Sequence, residues 1–385
     1  MTVDLFRTQY ALRSEPEALD AFCYVNEIPP FIDDELARLY GHVHSSRVFF
    51  ETSRPTDDVN TYVAWTGGRV SALLVFRVWN GVADVLNEFI TISGSEVRRF
   101  ADYIFASFGG VRAIRFQAVQ TAAEALPYPV QRHNSKENWV VDLPETPEEY
   151  TKQLAKSLRD RIGRYTRKTL KDYPSYRCDF YEREDIPEDC IRDLIKLSEA
   201  RIRSKKKIFG IDEQETQRII RLAKRCGMMN VTRIDGRLCA GMITYRVGSE
   251  YLAEVLAHDP DYNIYKLGTL CCHATICETI ARGATKFHLG GGRQDYKAQF
   301  LAVCQDMDRL VIHRSPLHMA LNAPLVAQTA ADGCLRRAKL WLLANEKSAV
   351  TRSVFLSLSA LERIRDCTGE RAMPHPRECD GGAPP

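Results

Sequence analysis

The residues whose types and spacing could do chemistry lie between Asp259 and Phe300, in DPDYNIYKLGTLCCHATICETIARGATKFHLGGGRQDYKAQF. Lys266, Gly268 and Thr269 sit where a helix is expected to begin near Gly268. A helix start offers unpaired backbone N–H groups and partial positive charge, so these three would cradle a phosphate-bearing group. Downstream, Gly290, Gly291 and Gly292 join that expected cradle, and the pair Tyr296-Lys297 is expected to face whatever reacts. Glu254 and His258 are four residues apart on the strand leading to the helix. Even separation in a strand points side chains to one face, so both are expected to reach the same cleft as proton acceptors, with Asp259 and His288 as alternatives. The chemistry this describes is group transfer. No Ser-His-Asp order or persuasive cysteine nucleophile is present, and Cys271-Cys272 reads as helix packing.

The elements that must position these residues occur twice. Thr61–Trp65, a Gly67-Gly68 turn and Val70–Val78 predict a hairpin, followed by a strand at Ala83–Leu86, a helix over Glu96–Phe108 and a strand at Ala113–Val119. Asn230–Ile234, Leu238–Val247, Tyr251–Ala257, a helix over Gly268–Ala281 and a strand at Thr285–Leu289 repeat that order. GGRVSALLVFRV matches DGRLCAGMITYRV, and GGVRAIRF matches RGATKFHL. The long period indicates a duplicated domain. Between the copies, Trp139–Pro144 predicts a crossing strand and Pro147–Asp172 one long helix with a capped start. Its apolar stripe of Leu154, Leu158, Ile162 and Tyr165 is flanked by Lys156, Arg159, Arg161, Arg164, Arg167, Lys168 and Lys171. Arg164, Arg167 and Lys168, with Asp259, are expected to bind an anionic substrate. A second basic run, 201–207, ends the next helix. Residues up to Glu51 read as helices and loops. After Phe300 come a strand at Asp308–Ile312 and helices over Pro316–Asn345 and Val350–Cys367.

Bulk properties narrow the classes. A net charge of +3 does not announce a nucleic-acid partner, and no apolar run reaches the roughly 18 residues of a spanning helix, so membrane contact would be peripheral. Twelve cysteines include no C-x-x-C, which argues against a zinc site or a disulfide framework and for a reduced, cytoplasmic setting; no metal is expected. The apolar C-terminal helices read as a cap or a homodimer face.

The D-P-x-Y after a strand, the L-G opening the helix, the strand ending H-L-G-G-G and the aromatic-Lys pair before Phe resemble the second domain of the FemA/FemB-like peptidyl transferases and the BioF2/CelD-like acyltransferases. Both are branches of the GCN5-related N-acetyltransferase (GNAT) superfamily. The resemblance implies an α/β (α+β) fold of tandem acyl-CoA N-acyltransferase-like domains, each a mixed sheet flanked by helices. It divides the chain into 1–145 (a degenerate half), 146–312 (the half carrying the site), a helical extension at 313–371 and a disordered tail at 372–385. It further implies an acyl-CoA co-substrate with its pyrophosphate at Gly268, and Lys297 stabilising developing negative charge or binding phosphate beside Tyr296. The acceptor would be an amine, phosphate-bearing or not, on a cell-envelope or polysaccharide precursor. In the Fem branch the donor is aminoacyl-tRNA, which gives tRNA as an alternative partner; a non-catalytic envelope-binding role is a third expectation.

Overall fold

Two copies of one strand and helix pattern exchange their last strands and so build a single sheet. The structure is a computed structural model of the chain and describes residues 20–345 except 54–55, 57, 123–125, 205–208 and 293–294. Strand β1 (Ala21–Tyr24), missed in the sequence, precedes helices α1 (Ile32–Tyr40) and α2 (Arg47–Ser53). The first copy is β2 (Val59–Thr66), β3 (Arg69–Trp79), β4 (Val82–Val85), the short β5 (Ile90–Thr91), α3 (Gly94–Ser107) and β6 (Ala113–Gln120), which returns parallel to β4. A long β7 (Val130–Asp142) then leads to α4 (Pro147–Gln153), α5 (Lys156–Asp172), β8 (Arg177–Glu182), α6 (Glu188–Ser204) and α7 (Glu213–Cys226).

The second copy is β9 (Gly227–Ile234), β10 (Arg237–Val247), β11 (Glu250–His258), α8 (Leu267–Ala281) and β12 (Lys286–His288), parallel to β11. After it come α9 (Asp295–Gln299), β13 (Val303–His313), α10 (Pro316–Leu321) and α11 (Ala323–Ala344). The hairpins form where expected: Gly67-Gly68 and Asp235-Gly236 all take positive φ, matching the twist of the flanking strands.

The sheet order is β1-β2-β3-β4-β6-β13-β7-β12-β11-β10-β9-β8. Each copy's closing strand is thus donated by the other part of the chain: β13 lies antiparallel to β6, and β7 lies antiparallel to β12. At the centre β7 and β13 pair from Val140 opposite Val303 to Val130 opposite Ile312. The boundary expected at 145/146 does not interrupt the sheet. Contacts divide the chain into 1–329, which holds the sheet, and 330–385, of which the end of α11 is described.

Helices cover both faces. In the first copy α3 buries Val97, Phe100 and Ile104 on one face, while Ile32, Leu36 and Phe50 cover the other. In the second, α4, α5 and α8 pack one face around Tyr150, Leu158 and Ile276; α6 and α7 pack the opposite face through Ile191, Leu194 and Ile219. The expected single helix over Pro147–Asp172 is two. Leu154 turns extended (ψ 145°) between α4 and α5, without Gly or Pro, and the break lets Tyr150, Leu154 and Leu158 all enter one core. The expected helix over Val350–Cys367, the tail and Lys205–Lys207 lie outside the described residues.

Candidate functional site

Strands β11 and β12 pair over three residues only, Glu250 to Leu252 against Lys286 to His288. Beyond them the strands part, because β11 runs on toward α8 while β12 turns away at Gly290 (φ +68°) onto β7, where Trp139 N–H donates to the Gly290 carbonyl at 3.2 Å. Into the opening beyond that pairing faces a pocket of about 360 Å³ at the start of α8. Leu256 and His258 of β11, the Pro260–Tyr265 turn through Asn263, and the α8 start through Lys266, Gly268 and Thr269 line it. Arg201 and Ser204 from the end of α6, with Tyr296 and Phe300, complete the wall.

Of the sequence-predicted residues, the pocket unites His258, Lys266, Gly268, Thr269 and Tyr296. Lys266 caps α8 in a left-handed conformation (φ +51°), which turns the chain sharply into the helix. Gly268 is a close-approach glycine: a Cβ there would fall 2.8 Å from His258 Nδ1. A helix N-terminus, one flanking lysine and one flanking arginine suit a pyrophosphate. The strand edge left unpaired by the splay suits an extended amide chain adding to it. The residues present therefore fit a CoA-type donor.

Other expectations are corrected. Glu254 does not share the pocket with His258. Opposite β10 the register steps from Ile243–Val255 to Thr244–Ala253, so Glu254 is the extra residue of a β-bulge and the alternation of faces resets there. Its carboxylate accepts from Arg218 of α7 at 2.9 Å, on the opposite face of the sheet. Burial pushes its pKa up, while Arg218 opposes that shift.

Lys297 does not line the pocket either. It is 2% exposed, and Nζ donates to the carbonyls of Gly290 at 3.0 Å and Gly291 at 2.5 Å. Burial pushes its pKa down to about 8. It braces the glycine turn, and Gly290, Gly291 and Gly292 shape the crossing onto β7 and do not line the pocket; a Cβ on Gly291 would meet the Glu137 carbonyl at 3.2 Å. Asp259 is consumed structurally, accepting from Arg237 at 2.7 Å and from the Asp261 N–H at 3.0 Å. Arg164 and Arg167 line a separate groove of about 470 Å³ on α5 with Arg159 and Arg161. Lys168 Nζ lies 5.0 Å over the Tyr265 ring, and Arg161 donates to Gln299 at 2.8 Å, so this basic helix touches neighbours of pocket-lining residues at two places.

His288, an alternative proton acceptor, belongs to a cluster the sequence did not reveal. It is joined edge-on by His42 at 4.9 Å, which stacks on Phe89 and His44. An H-x-H spacing following Gly41 was the only available signal. Among the described residues no group of three or more His, Cys, Asp or Glu is arranged to hold a metal.

A parallel pair that splays, a bulge in one of its two strands and a helix start at its mouth define a GNAT-like acyltransferase fold. Residues 156–298 match the family described as acetyltransferase (GNAT) domain. The chain is similar to the crystal structure of FemX, with TM-score 0.56 and 8% identity over 78% of this chain and 99% of that one. It is also similar to the C-terminal domain of a putative lysylphosphatidylglycerol synthetase from Agrobacterium fabrum (TM-score 0.47, 13% identity, 78% and 94% covered). A tandem GNAT protein from the clavulanic acid biosynthesis pathway gives TM-score 0.37 and 14% identity, with 76% and 98% covered. No curated protein sequence matches the chain. No described helix is long and apolar enough to cross a membrane.

Proposed function

We propose that this chain is an N-acyltransferase that moves an acyl group from a CoA thioester to a primary amine on a cell-envelope or polysaccharide precursor. The observation that carries the reading is the splay of β11 from β12 with the pocket at the α8 start. The donor's phosphates would lie at Lys266, Gly268 and Thr269 and its thioester arm along the free edge of β11, ending near the bulge. There Glu254 takes the amine proton as the nitrogen attacks the thioester carbonyl. The tetrahedral intermediate collapses with loss of the C–S bond, and the departing thiolate takes up a proton. A carboxylate whose pKa is raised by burial is a better-matched base near neutrality than an exposed one. Lys297 holds the glycine turn that keeps β12 apart from β11 and is a positioning residue.

Thermal unfolding with CoA, acetyl-CoA and a long-chain acyl-CoA tests this. Ligand at about 100 times its dissociation constant stabilises the fold by about 2.7 kcal/mol. A shift that Lys266→Ala and Gly268→Ala both weaken supports the donor site; no shift with any of the three overturns it. A second reading, aminoacyl transfer from tRNA, is favoured by the basic groove on α5. Retention of tRNA that ribonuclease treatment abolishes, together with no CoA-induced shift, selects it.

A further inference from the structure

On the face of the sheet that carries Glu254 the first part of the chain closes against the second, and the joint holds buried polar atoms that nothing satisfies. His42 is 2% exposed. Its Nδ1 accepts from the His44 N–H at 3.3 Å, so the neutral ring carries its proton on Nε2, and that donor has no partner. Asn138 is 2% exposed as well. Its Nδ2 can only donate, and it does so to His288 Nδ1 at 2.9 Å. His288 then gives its Nε2 proton to Glu250 at 2.7 Å, and Asn138 Oδ1 is left without a partner.

A buried donor and a buried acceptor left unpaired are costly, so each calls for a partner, supplied by water or by a bound group. Backbone strain points the same way. Phe89, a non-glycine residue, is held at φ +60° with its ring stacked on His42 at 4.6 Å. Gly41 (φ +58°) presses so near Glu250 that a Cβ would lie 2.3 Å from its carboxyl carbon. The partly buried His44 and Phe89 stack on His42, and Lys136 lies over the Phe89 ring.

The charges of the joint are already matched. Lys136 pairs with Glu88, Glu250 with Lys286, and Glu254 with Arg218. A charged ligand would be buried there without a counter-charge, whereas a hydroxyl both accepts from His42 and donates to Asn138. Contacts continue toward the bulge: His44 meets Phe49 at 4.5 Å, and the Arg218 guanidinium lies 5.5 Å over that ring. We propose that this joint is the acceptor subsite and holds the hydroxyl of a hydroxyl-bearing amine, such as an amino sugar or amino alcohol, between His42 Nε2 and the Asn138 side-chain carbonyl. The proposal rests on the acyl-transfer reading for the amine's destination, Glu254.

Calorimetric titration of the full chain with glucosamine tests it. Saturable binding is expected, weakened about tenfold or more by His42→Phe and by Asn138→Leu and restored by His42→Gln, which returns an N–H donor. His42→Phe keeps the ring stack and so keeps the fold, checked by an unchanged unfolding midpoint. No saturable binding to the wild type, with water alone meeting the two atoms, overturns the proposal; so does equal binding by both variants. Failure of the donor reading is seen separately, as no binding of the CoA thioester by the wild type.

Discussion

Lowering the pH from 7 to 5 should cost this protein stability through His44, by an amount that can be worked out. Burial, then the charges of Lys136, Arg218 and His288, push the His44 pKa down from 6.5 to about 3. The unfolded chain therefore takes up the proton first. Stability is fully present above pH 6.5 and declines as the pH falls toward 3. Between pH 6.5 and 5 the loss is 1.5 pH units at about 1.36 kcal/mol each, or about 2 kcal/mol. His42 lies well below its ordinary value for the same reasons and adds to the slope. His44→Phe preserves the ring packing against Phe49 and His42 while removing the titration. Urea unfolding of both proteins at pH 7 and pH 5 is the assay, with carboxylate titration common to the two. The wild type should lose about 2 kcal/mol more than the variant. Equal losses, within about 0.5 kcal/mol, would refute the claim that the buried imidazole is held neutral.

Lys297→Met should lower stability by about 2 kcal/mol, because the Gly290 and Gly291 carbonyls lose a charged donor held by a buried side chain, and Lys297→Arg should not rescue it, since the longer fork does not fit between Gly290 and Gly291; denaturant midpoints decide both. Gly268→Ala should weaken CoA-thioester affinity about tenfold with little effect on folding, and His258→Ala in the same protein should relieve it, because the imagined Cβ collides only with that imidazole. Asp259→Asn should cost about 1–2 kcal/mol by removing the charge that Arg237 pairs and weakening the turn cap, with donor affinity falling only in proportion to the local loosening of the turn. An unchanged unfolding midpoint for Asp259→Asn would return that residue to the list of substrate contacts.

Signals carried by neighbouring residues are legible in the sequence, whereas pairings between distant strands are not. The Gly67-Gly68 and Asp235-Gly236 turns, and the helix start at Lys266–Thr269, follow from residues adjacent in the chain, and the structure has them. The placement of β7 and β13 depends on partners more than a hundred residues away, and β7's polar stretch QRHNSKEN gives no clean alternation to mark thirteen residues of strand. Glu254 parts from the face of His258 because a bulge inserts one residue opposite a strand that looks regular in sequence. Lys297 was expected to meet a substrate because a lysine after glycines looks exposed; the turn it closes becomes visible only once Gly290 and Gly291 are folded back over it. His42 and His44 lie more than two hundred residues from His288, so their meeting had no sequence signature.

The strand exchange at the middle of the sheet also sets an order of events during synthesis. β7, at Val130–Asp142, leaves the ribosome long before β12 and β13 exist to flank it, so the first part of the chain waits with an unpaired, hydrogen-bond-hungry strand. The part that matches the acetyltransferase domain, 156–298, lacks both exchanged strands and would leave β12 open along one edge if made alone. Folding is completed from the carboxyl side, when β13 threads between β6 and β7, and a ribosome stalled before residue 303 would hold a chain with every donor-pocket residue already translated and no closed sheet to fix them.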